Sequence, residues 1–294
     1  MQIIKYKYWY LLFSLVILVP GVISLAVFRL NLAIDFTGGS VFQYETVLDI
    51  GAVRQVMEQQ GVVVEEVIKE ENTALVRAKP IETSKINAIT TALKERDANA
   101  TQTSFETIGP SIGAETTKKA FIALVVASLG ILFYIAYAFR NIPKPYSSFR
   151  FGASALIAML HDALVVLGVF SILGHFFNVE IDSLFITALL TVIGFSVHDT
   201  IVVFDRIREN LRKLSANTKF SEVVNYSIVE TLNRSFATSL TVIITLTALL
   251  LLGGESIKYF TLALLIGIIS GTYSSIFNAA PILVIWEEQK SKSK

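Results

Sequence analysis

Long apolar runs broken by short polar clusters dominate this chain, and one stretch near the N-terminus alternates instead. Six runs are apolar over the roughly 20 residues that a bilayer crossing takes, with about 17–25 tolerated. They are Trp9 to Phe28, Ala120 to Phe139, Phe151 to Gly174, Asp182 to Phe204, Ser235 to Leu252 and Tyr259 to Trp286. One such run would suit a buried core helix; six in one chain predict a polytopic α-helical membrane protein. Between the first two runs the period changes. "SVFQYE" (40–45) alternates like a strand, and "LDIGAVRQVMEQQG" (48–61) has helical period and stops at a glycine. "VVVEEVIKEENTALVRAK" holds two β-rich runs joined at Glu71-Asn72. "ETSKINAITTALKER" (82–96) places Ile86, Ile89 and Leu93 on one helix face, and "TQTSFETIG" (101–109) reads as a last strand.

The order βαββαβ predicts a ferredoxin-like α+β unit, with Val53, Val56, Ile86, Ile89 and Leu93 facing the sheet. The expected organisation is therefore an N-terminus and first membrane helix over 1–28, an extracytoplasmic domain over 29–119, membrane helices two to six over 120–286, and a tail over 287–294. The first run carries Lys5 and Lys7 ahead of it and "SLA" (24–26) near its end, as a cleavable signal peptide would. It is longer than the 7–15 apolar residues of a signal sequence, so an uncleaved anchor is expected.

Composition agrees with a membrane protein: 53% of residues are hydrophobic and 17% charged, against about 25% charged in soluble domains. The placement of charge gives orientation. Lys5 and Lys7 precede the first run. Arg140, Lys144 and Arg150 lie between the second and third, and Arg206, Arg208, Arg212, Lys213, Lys219 and Arg234 between the fourth and fifth. Lys290, Lys292 and Lys294 end the chain, whereas "HFFNVEID" (175–182) has no Lys or Arg and "GGESIK" only Lys258. The positive-inside rule then puts both termini in the cytoplasm and the α+β domain outside it. The formal net charge of +1 identifies no partner, and no nucleic acid is expected. With no cysteine, disulfides and cysteine-ligated metals are excluded, and the outer domain stands on its core alone.

Against this background one stretch is unusual. "VIGFSVHDTIVVFDRIREN" (192–210) carries His198, Asp199, Asp205 and Arg206 where a helix leaves the membrane. Asp205 and Arg206 suit a solvated inner cap. Asp199 lies about 9 Å deeper at 1.5 Å per residue. A carboxylate within a span costs about 2.5–3.5 kcal/mol on insertion scales, and such residues commonly line ion pathways. A structural hydrogen bond to a neighbouring helix is the competing reading. The preceding run contains "MLHDALVVLG" (159–168), which repeats the His-Asp-x-(Leu/Ile)-Val-Val pattern and sets His161 and Asp162 about 15 Å inside. Two antiparallel helices could bring the pairs to neighbouring depths, which suggests a proton relay. Adjacent His and Asp project about 100° apart, poor for joint ligation, so no metal and no cofactor are expected. In the fifth run Arg234, Thr238, Thr241 and Thr245 share one face, and a hydrated seam facing Asp199, with Arg234 as its counter-charge, is expected. Gly267 and Gly271 in the sixth run allow close helix packing.

Four ordered motifs carry a resemblance that covers essentially the whole chain. "AIDFTGGS" (with Asp35, Gly38 and Gly39), "FETIGPSIGAE" (with Gly109, Pro110 and Gly113), "GFSVHDTIVVFDRIREN" (with Gly194, Asp205 and Arg206) and "ETLNRSFATS" (with Arg234) are similar to signatures of the SecF branch of the SecD/SecF protein-export membrane family. That family belongs to the resistance-nodulation-division superfamily of proton-driven membrane machines. The resemblance implies a non-enzymatic role with SecD, beside the SecYEG translocation channel, in moving preprotein substrates with the proton motive force. It implies embedding in the lipid of the cell membrane, or of a thylakoid in a photosynthetic cell. It also implies that Asp199 is the intramembrane proton-responsive carboxylate and Arg234 the functional arginine. His198 stands where many members have Asn. A small-molecule proton-driven efflux transporter of the same superfamily is the alternative, against which the single small outer domain argues. A non-transducing scaffold, with Asp199 merely structural, is the third reading.

Overall fold

The structure is a computed structural model that describes residues 1–143, 145–215 and 218–292, without the side chains of 70, 255 and 290–292. Lys144 and Lys294, and the side chains of Lys290 and Lys292, on which part of the charge reading rests, lie outside the described residues. In chain order the helices are α1 (Lys7–Val27), α2 (Ile34–Thr37), α3 (Ile50–Gln59), α4 (Ile86–Arg96), α5 (Pro110–Ala138), α6 (Ser148–Phe177), α7 (Ser183–Lys213), α8 (Phe220–Leu252), α9 (Lys258–Ser274) and α10 (Ala280–Lys292). The strands are β1 (Gly39–Glu45), β2 (Val64–Glu70), β3 (Thr73–Ala78) and β4 (Thr101–Ile108). The chain divides into two compact units: Leu32–Ile122, and Met1–Asn31 with Ala123–Lys294.

The smaller unit has the expected βαββαβ order, with α2 added ahead of it. Its sheet is antiparallel in the order β2-β3-β1-β4. Period-2 alternation in β1 and β3 sends Phe42, Tyr44, Ala74, Val76 and Ala78 to one face. There they meet Val53, Val56 and Met57 of α3 and Ile89 and Leu93 of α4, all at most 2% exposed. Each buried Val, Leu, Ile, Phe or Met side chain among them contributes about 1.5–3 kcal/mol by burial. Ile86, at the start of α4, is only half-buried. Asp49 caps α3 by accepting from the Ala52 N–H at 2.6 Å.

Among the described residues, six helices are long and apolar enough to cross a membrane: Ile4–Val27, Pro110–Ala138, Ser148–Phe177, Ser183–Lys213, Phe220–Leu252 and Lys258–Gln289. Several outrun their apolar runs: α7 continues from Phe204 to Lys213, and α8 starts at Phe220 rather than Ser235. Hydropathy marks only the part that suits lipid. Beyond it, Arg206 pairs with Glu230 at 2.6 Å and with Glu209 at 2.6 Å, and Asn210 donates to Glu230 at 2.8 Å and to Ser227 at 3.0 Å. These contacts carry both helices onward as a polar hairpin.

Burial ranks the spans. The apolar window is 61% buried in the last span and 50% in α6 and α7, but 17% in α1 and α8 and 6% in α5. α6, α7 and α9 therefore form the core, with α8 against α9 and α1 against α6. Small residues permit these approaches. A Cβ on Gly267 of α9 would stand 2.1 Å from Val192 Cγ2, and one on Gly168 of α6 would stand 2.6 Å from the Gly21 Cα of α1. After α9 the chain takes a π-turn over Ser275–Ala279, ahead of Pro281, which has no N–H to continue an α-ladder. α1 docks there: Ser14 donates to Asn278 Oδ1 at 2.7 Å and the Tyr273 hydroxyl to the Tyr10 carbonyl at 2.8 Å.

Candidate functional site

The carboxylates of Asp162 and Asp199 lie in the core of the membrane unit, and α9 reaches both. Asp162 of α6 is fully buried. Its Oδ2 accepts from Ser196 Oγ of α7 at 2.5 Å and from Ser274 Oγ of α9. Its Oδ1 accepts from Ser270 Oγ of α9 at 2.7 Å and lies 3.0 Å from His161 Nδ1. The four-residue spacing of Ser270 and Ser274 puts both hydroxyls on one face, one turn apart. His161 is itself mostly buried, and its Nε2 has no hydrogen-bond partner among the described residues.

Asp199 of α7 is 3% exposed but more loosely held. Ser239 Oγ of α8 lies 3.3 Å from its Oδ2, longer than the usual 2.7–2.8 Å. Ser239 in turn accepts from Thr272 Oγ1 of α9 at 2.7 Å. Thr272 sits two residues from Ser270 and from Ser274, about 200° around the helix, so α9 serves the two carboxylates from opposite sides. The repeated His-Asp pair thus has two environments. His161 turns inward with its carboxylate, whereas the His198 side chain is 64% exposed with Nδ1 3.7 Å from Asp199 Oδ1.

The expected seam between Arg234 and Asp199 is not formed within this chain. Arg234, Thr238, Thr241 and Thr245 are all exposed, and each threonine hydroxyl donates to a carbonyl about one turn earlier on α8. Arg234 makes no ion pair among the described residues. The face turned inward is the next one round: Ser227, Thr231, Ser235 and Ser239, at four-residue spacing and all buried. Small side chains let α8 close on α9, so packing selects the serine face over the arginine face. That four-residue repeat is present in the sequence, and it is the signal that points to Ser239. On α7, Thr187, Thr191, Gly194 and His198 are likewise exposed, and a Cβ on Gly194 would meet nothing within 4 Å.

The remaining motif residues have local roles. Asp205 pairs with Arg208 at 2.5 Å, within the polar hairpin that Arg206 ties together. Asp35 lies in the first turn of α2. Gly38 and Gly39 adopt φ of +71° and +136°, the left-handed region that favours glycine. Pro110 opens α5 after Gly109, and Gly113 packs against the backbone of Gly38.

Fold and site together define a six-span helical membrane protein with one α+β domain and, inside its apolar runs, the buried carboxylates of Asp162 and Asp199 tied to a common helix. The family models described as Protein export membrane protein SecD/SecF, C-terminal, and SecD/SecF GG Motif match residues 88–289 and 23–47. The chain belongs to the SecD/SecF family of protein-export membrane proteins. It is 48% identical to Protein translocase subunit SecF of Thermobaculum terrenum, over 98% of this chain and 94% of that one. It is 34% identical to Protein translocase subunit SecDF of Bacillus subtilis, over 98% of this chain but 38% of that longer protein. The crystal structure of SecDF from Thermus thermophilus superposes with a TM-score of 0.83 at 32% identity, covering 98% of this chain and 39% of that one.

Proposed function

We propose that this chain, in its SecF-like role within the protein translocase, works with a SecD-like partner. Together they use the proton motive force to promote late translocation and release of preproteins. In this reading Asp199 loads and unloads the proton. The observation that carries it is the contrast between the two carboxylates. Asp162 is held by three serine hydroxyls, while Asp199 has one long hydrogen bond and lies beside the exposed His198. A group that changes charge must not be fixed by donors that demand one state; Asp199 meets that condition. Asp162, with His161, acts as the fixed post that holds α9 while Asp199 changes.

The exposed polar positions suit the partner. Thr187, Thr191, Gly194 and His198 on α7, and Arg234, Thr238, Thr241 and Thr245 on α8, put hydroxyls and a cation at depths where lipid offers no hydrogen bonds. A SecD-like bundle covering this face would seal it from lipid and bring Arg234 into a site shared by both subunits. Some relatives are named as SecDF, much longer than this chain, which supports pairing with such a bundle. The complex would stand beside the SecYEG channel, with both termini of this chain cytoplasmic and the α+β domain outside. The driving force is sufficient in scale: one charge crossing 100 mV supplies about 2.3 kcal/mol, within the range of typical allosteric couplings.

The test is Asp199→Asn, co-expressed with the partner in membrane vesicles carrying a preprotein in transit. Insertion and assembly should be normal, and release on the outer face should lose its uncoupler-sensitive component. Arg234→Lys should keep partial release and Arg234→Met should not, because the charge survives only in the first. Full, uncoupler-sensitive release by Asp199→Asn would make that carboxylate structural.

A further inference from the structure

A single residue, Gly109, separates the last strand of the outer domain from the membrane-crossing helix α5. Yet the boundary between the two compact units falls inside that helix, between Ile122 and Ala123. The head of α5 therefore belongs with the outer domain, and glycines explain why. A Cβ on Gly113 would stand 2.7 Å from the Gly38 nitrogen and 3.0 Å from the Phe36 carbonyl oxygen. A Cβ on Gly38 would stand 2.9 Å from the Pro110 Cα. Thr117 Oγ1 adds a hydrogen bond of 3.3 Å to the Phe36 carbonyl. The joint is backbone against backbone, with no flexible side chain in it to yield.

The foot of α5 is held differently. Arg208 Nη1 donates to the Ala138 carbonyl at 2.9 Å, and Arg212 Nη2 to the Asn141 carbonyl at 2.9 Å. Both place a guanidinium at a helix C-terminus, where cations are favoured. Phe139, nearly fully buried, packs with Phe151 and Phe204. Between head and foot the helix is almost bare, and a Cβ on Gly130 would meet nothing within 4 Å. Arg208 and Arg212 lie on α7, the helix that carries Asp199. The other connection to the outer domain differs in kind. Residues up to Asn31 belong to the membrane unit, where Ser171 donates to the Arg29 carbonyl at 2.7 Å and the Ile181 N–H to the Asn31 carbonyl at 2.8 Å.

We propose that α5 is the rod that transmits movement between the membrane unit and the outer domain. Displacement of α7 reaches its foot through Arg208 and Arg212. The joint of Gly38, Gly113 and Thr117 makes the outer domain follow its head as one body. The two glycine motifs are thus a single mechanical joint. This rests on the proton-driven role of Asp199 in α7.

The test uses the full chain with its SecD-like partner in proteoliposomes and reads three quantities: proton uptake, preprotein release, and the spin-label distance between Glu65→Cys and Lys118→Cys. The chain has no cysteine of its own, so within it the labels are unique, and the partner is used in a cysteine-free form. Gly113→Ala should broaden that distance distribution and lower release about tenfold, within the ordinary range of coupling, while proton uptake stays within about twofold. Gly109→Ala, whose Cβ would meet only Ser111 Oγ at 4.0 Å, should change none of the three. Arg208→Gln with Arg212→Gln should lower release at preserved proton uptake and leave the distribution narrow. Thr117→Val, which keeps the backbone contact, should act as Gly113→Ala does but more weakly, and serves if Gly113→Ala does not accumulate. A narrow distribution with full release in Gly113→Ala, or in Thr117→Val in its place, overturns the proposal. So does release that falls only in step with proton uptake. Absence of proton uptake in the parent complex would instead sink the reading of Asp199, while the distance measurement would still decide the joint.

Discussion

Asp162→Asn should destabilise the helix bundle far more than Asp199→Asn, although both exchange a buried carboxylate for its amide. Around Asp162, two hydroxyls, of Ser196 and Ser274, point at one carboxylate oxygen, and Ser270 points at the other beside His161. An amide presents NH2 on one side, so at least one of those donors loses its acceptor. Ser274 can fall back on the Gly271 carbonyl, 3.3 Å away, which limits but does not remove the loss. Hydrogen bonds to a charged group contribute about 1.5–3 kcal/mol, and a buried donor left unsatisfied costs about 1–3 kcal/mol. A loss of about 2–4 kcal/mol follows. Asp199 has only the long Ser239 contact, so its amide should cost less than about 1 kcal/mol.

Thermal aggregation of the detergent-purified chain at neutral pH, read by size-exclusion of a fluorescent fusion, measures the difference. At about 2–4 °C per kcal/mol, Asp162→Asn should lower the midpoint by about 4–16 °C and Asp199→Asn by less than about 4 °C. The pairing is checked by non-additivity. Ser274→Ala should cost clearly less in the Asp162→Asn background than in the parent, because there its hydroxyl meets a neutral amide in place of a carboxylate oxygen. Equal midpoints for the two amide variants, or strict additivity of Ser274→Ala, would refute the view of Asp162 as a fixed post.

Asp97 sets an acid limit on the α+β domain. The Thr46 hydroxyl at 2.7 Å, and then the Val47 N–H at 2.9 Å, hold its carboxyl below the usual carboxylate range. A depressed value stabilises the fold above the unfolded-state pKa of about 3.9 and loses that contribution as pH falls through the folded value. Thermal melts of residues 31–115 by circular dichroism should therefore fall below about pH 4, less so in Thr46→Val; an equal acid dependence in both would remove Asp97 as the cause. For orientation, reporters fused after Lys69 should lie outside the cytoplasm and those after Pro145, Lys213 and Lys294 inside it. An external Lys213 would reverse the membrane placement of Asp199.

The large-scale plan was legible from residue order because it depends on local periodicity. A stretch either supports a bilayer-length helix or it does not, and strands and helices in 40–109 differ in period. The βαββαβ order follows from those periods, and only the short α2 escaped, four residues being too few to show one. The burial of Asp162 and Asp199 was legible too, since a carboxylate inside an apolar run has few places to go. What periodicity does not give is the rotation of each helix about its axis. Ser235 and Arg234 are neighbours in the chain and about 100° apart on α8, and either could have faced Asp199. Charge complementarity favoured the arginine; the structure turned the serines inward, because close packing on α9 needs small side chains at every turn and leaves no room for a guanidinium. The same rotational choice separates His161 from His198. It was made by the whole bundle at once, through glycine contacts and shared hydroxyls from helices far apart in the chain, and for that reason only the tertiary structure contains it.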